Sequence, residues 1–392
     1  MKRATNGTSR LRVGTATLGL PLAALAALTV ALAQSTAAPP VATQPAAAPP
    51  AAPSPAAPAT PVAPPADPRE LPSYMIPNIP DAAEAYWAPD SRHLIAQTRD
   101  PRALRTMQGG YGALEYIFTA DGKEMWAVNN RGQDACSFFF PDGRRVVWTS
   151  TRDHLDMAVG NWSDSDEYPQ GAELYISDLK GGHVRRLTNN RWYEAEVSVS
   201  PDGRWITFGR QIDGNMDIWI MRADGKREFQ VTRTTDWQEG APFFTPDGER
   251  IMFRAWRKAD YKKIRPTPMT VFTIRRDGTD LRRHTSDEGM NWHPVPAPDG
   301  RHYVYVRAVT PTNWEIMLGD LAGGEPRRLT YFEGMDILAH VSPDGKKMNW
   351  ARSTGRGFMQ GLRTFVMDVS SLDIGPQRRV KWDPAWGEPV AP

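Results

Sequence analysis

Five carboxylates or amides stand eight residues ahead of five Pro-Asp pairs: Asp134, Glu194, Glu239, Asn291 and Asp336, with Ala82 holding the same place before the first pair. Acidic groups repeated in one phase, if gathered around a common axis, form a ring that repels itself unless a cation, a Lys or Arg side chain or a peptide amine offsets it. Trp192 and Trp237 lie two residues ahead of Glu194 and Glu239, and Glu196, Trp292, His293 and His340 follow along the same stretches. Exposed Trp beside carboxylates suits recognition of a peptide or glycan. Each feature also has a plainer use: Asx-type bonding to backbone at a chain crossover for the acids, and packing between sheets for the Trp.

These residues keep phase because the chain repeats. Pro-Asp recurs at 89–90, 141–142, 201–202, 246–247, 298–299 and 343–344, followed by Gly in every copy except the first, where Ser91 stands. Pro presets the first turn position, Asp bonds backbone two residues on, and Gly accepts positive φ, so each copy reads as a tight β-turn between strands. The third copy shows the unit: Val197–Ser200 leads in, Trp205–Phe208 leads out, Asp217–Met221 is a third strand, and Phe229–Thr232, after Ala223-Asp224-Gly225, is a fourth. Third strands recur at 116–118, 174–176, 271–274, 316–318 and 365–367. Six such four-stranded units predict an all-β fold, a six-bladed β-propeller, in which radial packing covers the faces that a lone blade would expose.

The run Leu187-Thr188-Asn189-Asn190, Glu194, Ser200-Pro201-Asp202-Gly203, Asp217-Ile218-Trp219 and Ala223-Asp224-Gly225 resembles the WD40-like repeat of the TolB family, and the resemblance extends over all six units. It implies an exported, non-enzymatic binding or scaffold protein of the cell envelope. The implied partner is a protein or envelope ligand, such as a peptidoglycan-associated lipoprotein or another Tol-Pal-like component. The α/β domain that TolB carries before its propeller has no counterpart in the low-complexity stretch that precedes this one.

Propeller connectivity puts the Pro-Asp-Gly turns on one face and the longer loops on the other. Two insertions fall on the loop-rich face: 153–172, with Asp153, Asp156, Asp164, Asp166 and Glu167, and 257–269, with Lys258, Lys262, Lys263 and Arg265. Both read as solvated loops, one acidic and one basic. Neither has EF-hand spacing, so calcium in the central channel is at most a weak suggestion and no cofactor is expected. The expected binding set at the channel mouth of this face is Asp134, Glu194, Glu239, Asn291, Asp336, Trp192, Trp237 and His293. No G-x-S-x-G, H-E-x-x-H, Cys/His zinc pattern or Walker loop occurs, so no catalytic residue is assigned. The enzymatic alternatives are metal-dependent hydrolase or lyase chemistry in the channel, from Glu194, Asn291, Asp336 and His293, or service as the propeller subunit of a peptidase.

Basic Lys2, Arg3, Arg10 and Arg12, an apolar run from Leu18 to Leu32 and Ala31-Leu32-Ala33 predict a signal peptide over 1–33, cleaved before Gln34, with a periplasmic or secreted product. A retained anchor is the competing reading, weakened by Gly19 and Pro21. Residues 34–70, almost only Ala, Pro, Thr, Val, Gln and Ser up to Pro68, predict a disordered tether before a propeller over 71–392. Without the leader, Lys+Arg falls to 43 against 45 Asp+Glu, which leaves no nucleic-acid footprint. Cys136, the single cysteine, reads as a small buried residue in a monomer without disulfides. Ring closure is left between two segments. Either Arg379-Val380-Lys381-Trp382 ends blade six on its own, or Leu71–Ile79 adds its outer strand, which Pro72 and Pro77 argue against.

Overall fold

A computed structural model describes residues 67–285, 288–354, 361–377 and 382–390. The expected leader, most of the tether and Arg379–Lys381 lie outside the described residues. Six antiparallel sheets follow one another along the chain. Blade three is representative: strand A Tyr193–Val199, B Trp205–Ile212, C Asn215–Arg222 and a short D, Phe229–Gln230. The other A strands are Ala82–Trp87, Asp134–Phe139, Trp237–Phe244, Asn291–Pro296 and Asp336–Val341.

The Pro-Asp-Gly turn does what its residues dictate. In all six copies the Asp Oδ1 accepts the backbone N–H two residues on, at 2.9–3.1 Å. Gly143, Gly203, Gly248, Gly300 and Gly345 take φ of +63° to +76°, and Ser91 accepts the same left-handed region at +53°. At the opposite face Thr188, Thr232, Thr285 and Thr330 each accept, on Oγ1, the N–H of a strand-C residue fourteen positions back, at 2.9–3.0 Å. Each Thr thus satisfies a backbone donor at the start of strand C and ties the crossover into the next blade to that strand. Large aromatics at strand positions flanking the turns pack the fold: Trp148, Phe208 and Trp350 are fully buried, and Phe139, Phe244 and Phe253 are buried as well.

Closure corrects the expectation drawn from the prolines. Ser73–Met75 forms the outer strand of blade six, pairing with Leu362–Asp368 in the register Ser73↔Met367, Tyr74↔Val366 and Met75↔Phe365. Pro72 and Pro77 flank this three-residue edge strand and remove no ladder bond from it. Glu70, counted within the tether by composition, has a buried carboxylate that accepts Arg352 Nη2 at 3.0 Å and the Tyr331 N–H at 2.8 Å. Trp382 does not extend blade six. It lies over Arg250, 4.1 Å from guanidinium carbon to ring centroid, and Glu388–Pro389 pairs with Arg282–Arg283 as a fifth strand on blade four.

Candidate functional site

Every strand A carries the same irregularity. The residue six positions ahead of the motif Asp has positive φ in all six blades: Glu84, Cys136, Glu196, Ala241, His293 and Leu338, between +50° and +59°. Each coincides with a register shift against strand B, a β-bulge. Two residues further on, Tyr86, Phe138, Phe243 and His340 meet at centroid distances of 5.4–6.2 Å and plug the channel.

The acidic positions expected to ring the channel mouth are turned into the seams between blades. Asp134, Glu194, Glu239, Asn291 and Asp336 are all buried. Arg352 binds Asp336 through Nε and Nη2 at 2.7 Å each, and Arg210 Nε reaches Glu194 Oε1 at 2.5 Å. Asn291 Nδ2 donates to the Met269 carbonyl at 2.9 Å, and Asp134 accepts the Glu115 N–H at 3.0 Å. Among the described residues Glu239 has only the Thr234 hydroxyl, at 2.6 Å. The partners stand directly across the A–B ladder, as in Glu194↔Arg210 and Asp336↔Arg352, on or just ahead of strand C of the preceding blade, as with Glu115 and Met269, or in the crossover, as with Thr234, so local pairing holds these groups in place. Burial is the largest cause pushing Asp134 and Glu194 up to about 7 and Glu239 up to about 8.

The Trp residues separate as well. Trp237 packs edge-on to Phe272 at 6.1 Å beneath Arg257, beside Glu239 in a groove of about 830 Å³ on blades three and four. Trp192 borders another cavity, of about 630 Å³, with Met107 and Asp213. His293 reaches the channel, where its Nε2 meets the Tyr86 hydroxyl at 2.9 Å. Burial drives His293 and His340 down to about 3, so both are neutral. The four residues of the metal-enzyme alternative are not gathered, and among the described residues no three His, Cys, Asp or Glu side chains converge in a way that could hold a metal ion.

What does converge is a cavity of about 190 Å³ above the plug, on the loop-rich side of the channel. Its floor is Glu84, Cys136, Glu196 and Arg254. Arg254 is paired with Glu196 at 2.8 Å, and Glu84 Oε2 accepts Gln97 Nε2 at 2.9 Å and the Cys136 thiol at 3.1 Å. Burial raises both the Glu84 carboxyl and the Cys136 thiol. The walls are aromatic: Tyr168 stacks on Tyr193 at 4.1 Å, Trp162 leans on Tyr193 at 5.9 Å, and Trp256–Tyr261 and Trp292–Trp314 are further pairs, at 6.3 and 6.0 Å.

The two insertions roof this cavity and are not independent loops. Lys262 Nζ bonds Asp164 and Asp166 at 2.8 Å each, and the Tyr261 hydroxyl donates to Asp164 at 3.1 Å while accepting the Ser165 N–H at 3.1 Å. The opposite charges noticed in the sequence therefore clasp each other, with an ammonium between the two aspartates. Sequence reasoning missed Glu84, Arg254, Trp162, Tyr168, Tyr193, Trp256 and Tyr261. The charge complementarity of 153–172 and 257–269 was the signal that could have found the loop members.

Six blades with these turns, this Thr tie and a loop-rich channel mouth define a TolB-like six-bladed β-propeller. No family model matches the chain. An uncharacterized protein of Agrobacterium fabrum (strain C58) is 27% identical over 172 residues, 43% of this chain and 52% of that protein. The TolB homolog of Chlorobium luteolum is 26% identical over 160 residues, 40% of this chain and 33% of the homolog. This chain thus spans about half of the first relative and a third of the second. The crystal structure of TolB from Acinetobacter baumannii aligns with a TM-score of 0.51 at 18% identity, covering 71% of this chain and 64% of that one, a likeness of fold. Among the described residues no helix is long and apolar enough to cross a membrane.

Proposed function

We propose that the protein is an exported binding component of the cell envelope, without catalysis of its own, that captures a protein or envelope ligand on the loop-rich face. A Tol-Pal-like lipoprotein is the partner class that the TolB likeness suggests. The carrying observation is the roofed, aromatic-walled cavity at the channel mouth, on the face that bears both long insertions. The basic and apolar opening of the sequence with its Ala31-Leu32-Ala33 site supports export.

The test is site-specific photo-cross-linking in the native envelope fraction, with the reactive group at Ser163 on the cavity rim or at Asp202 on the Pro-Asp-Gly face. A discrete adduct from Ser163 and none from Asp202 is the expected result. Equal labelling from both faces, or none from Ser163, overturns the reading, and turnover of a lactone or phosphotriester by the purified protein replaces it with the enzymatic one.

A further inference from the structure

The channel cavity has a chemical preference, and naming it rests on the binding role just proposed. Its floor holds two carboxylates and one guanidinium. Arg254 is spent on Glu196: Nη2 meets Oε1 at 2.8 Å and Nη1 meets Oε2 at 3.4 Å, with the guanidinium also 5.1 Å from the Trp256 ring centroid. Among the described residues Glu84 forms no ion pair, and Arg254 acts on it only at a distance. Its two bonds, from Gln97 and Cys136, are both neutral and both end on Oε2, and Oε1 takes no hydrogen bond among the described residues. The unbonded side of the Glu84 carboxyl lines a space walled by aromatic side chains, and no Lys lines it.

An anion is opposed by Glu84 and by the rings, and a neutral sugar leaves the surplus carboxylate without compensation. An ammonium is a pure donor with positive charge and meets both demands. Size narrows the choice, since about 190 Å³ admits a side chain and not a folded domain. A neighbouring cavity of about 230 Å³ shares Gln97, Ala135, Trp162 and Ser163 with the first and leads outward over blades one and two, which provides a path for the backbone that carries the amine.

From this geometry we infer that the cavity receives a primary or methylated ammonium group, as on a lysine side chain, borne by an extended peptide that leaves through the adjoining groove. Glu84 supplies the counter-charge and the Trp162, Trp256 and Trp292 rings the cage.

The experiment titrates the full mature chain with N-acetyl-lysine methylamide, its trimethylated form and the uncharged norleucine analogue, following the Trp indole N–H resonances. Saturable shifts with both lysine probes, at least tenfold weaker with norleucine and at least tenfold weaker in Glu84→Gln, are expected. The amide introduced by Glu84→Gln keeps the shape of the carboxylate and removes its charge. Trp162→Leu, on the roof loop, is a second variant independent of the floor, and it should also weaken binding severalfold. Equal affinity for lysine and norleucine, no saturable shift, or preference for a disaccharide with Glu84→Gln unaffected would each overturn the inference. Such a failure beside a Ser163 adduct leaves the binding role standing, whereas lysine binding without any adduct removes the envelope partner and keeps the site.

Discussion

Glu239 offers the sharpest check on how these seams are held. It is 2% exposed, its Oε1 accepts the Thr234 hydroxyl at 2.6 Å, and its Oε2 has no partner among the described residues. Burial is the main reason its carboxyl is raised to about 8, with Asp217 and Asp236 adding to the rise and Lys258 opposing it. The folded protein therefore holds a proton that the unfolded chain gives up from about pH 4.5. The sign follows: the protonated seam contributes fully below pH 4.5, and stability falls as pH rises from there to about 8. At about 1.4 kcal/mol per pH unit, the loss between pH 5 and pH 8 is on the order of 3 kcal/mol. Glu239→Gln mimics the neutral acid in size and shape and cannot ionise. Urea unfolding at pH 5, 6, 7 and 8 should find variant and wild type within about 1 kcal/mol at pH 5, with the variant more stable by about 2–3 kcal/mol at pH 8. Since Glu115 and Asp134 are raised as well, the wild-type curve slopes for several reasons, and the difference between the two proteins isolates Glu239. Parallel curves separated by one constant offset would refute the argument, because they would mean that Glu239 is ionised in the fold.

Two further outcomes follow from the clasp and from the closure. Replacing Lys262 by Met removes both ion pairs to the acidic insertion; these are partly exposed, worth at most about 1 kcal/mol. The melting temperature should therefore move by no more than about 3 °C, while hydrogen exchange in 153–172 and 257–269 speeds up severalfold; unchanged exchange would show that the aromatic contacts alone hold the roof. A chain starting at Asp67 should melt with the full protein, whereas one starting at Asn78 loses the Ser73–Met75 strand, the buried Ile76 and the Glu70–Arg352 pair and should melt at least about 5 °C lower. Identical melting of the two truncations would mean that blade six closes without its N-terminal strand.

The fold was legible because its signals are local and repeated. Pro, Asp and Gly carry their turn chemistry in three adjacent residues, and the flanking apolar runs recur six times, so strand order and face assignment could be read without long-range information. Closure was not legible. A three-residue edge strand has almost no sequence signature, and Pro72 and Pro77 count against pairing until it is known that they fall just outside it. The clasp was half legible: the charges of 153–172 and 257–269 stood out, but only the fold shows that loops about a hundred residues apart reach each other across the channel mouth.

The burial of these acids in the seams has a more general cause. Counting back eight residues from each Asp finds the right strand and a carboxylate or amide in five of six blades, and regularity made that pattern look functional. Yet a group that recurs in five of the six blades is what the blade itself needs, and these acids are consumed by Arg210, Arg352, Asn129, Thr234 and strand-C backbone in the seams. The bulge then brings the position six ahead of the Asp to the channel, and there the residue types differ from blade to blade: Glu84, Cys136, Glu196, Ala241, His293, Leu338. A ligand in the channel meets all six at once and has no six-fold symmetry of its own, so a specific site requires the repeat to be broken there. The one carboxyl among them that forms no ion pair among the described residues, Glu84, is where such a break leaves a group to be answered from outside. In a propeller, then, the repeated residues describe the scaffold, and the site lies at the positions where the repeats disagree.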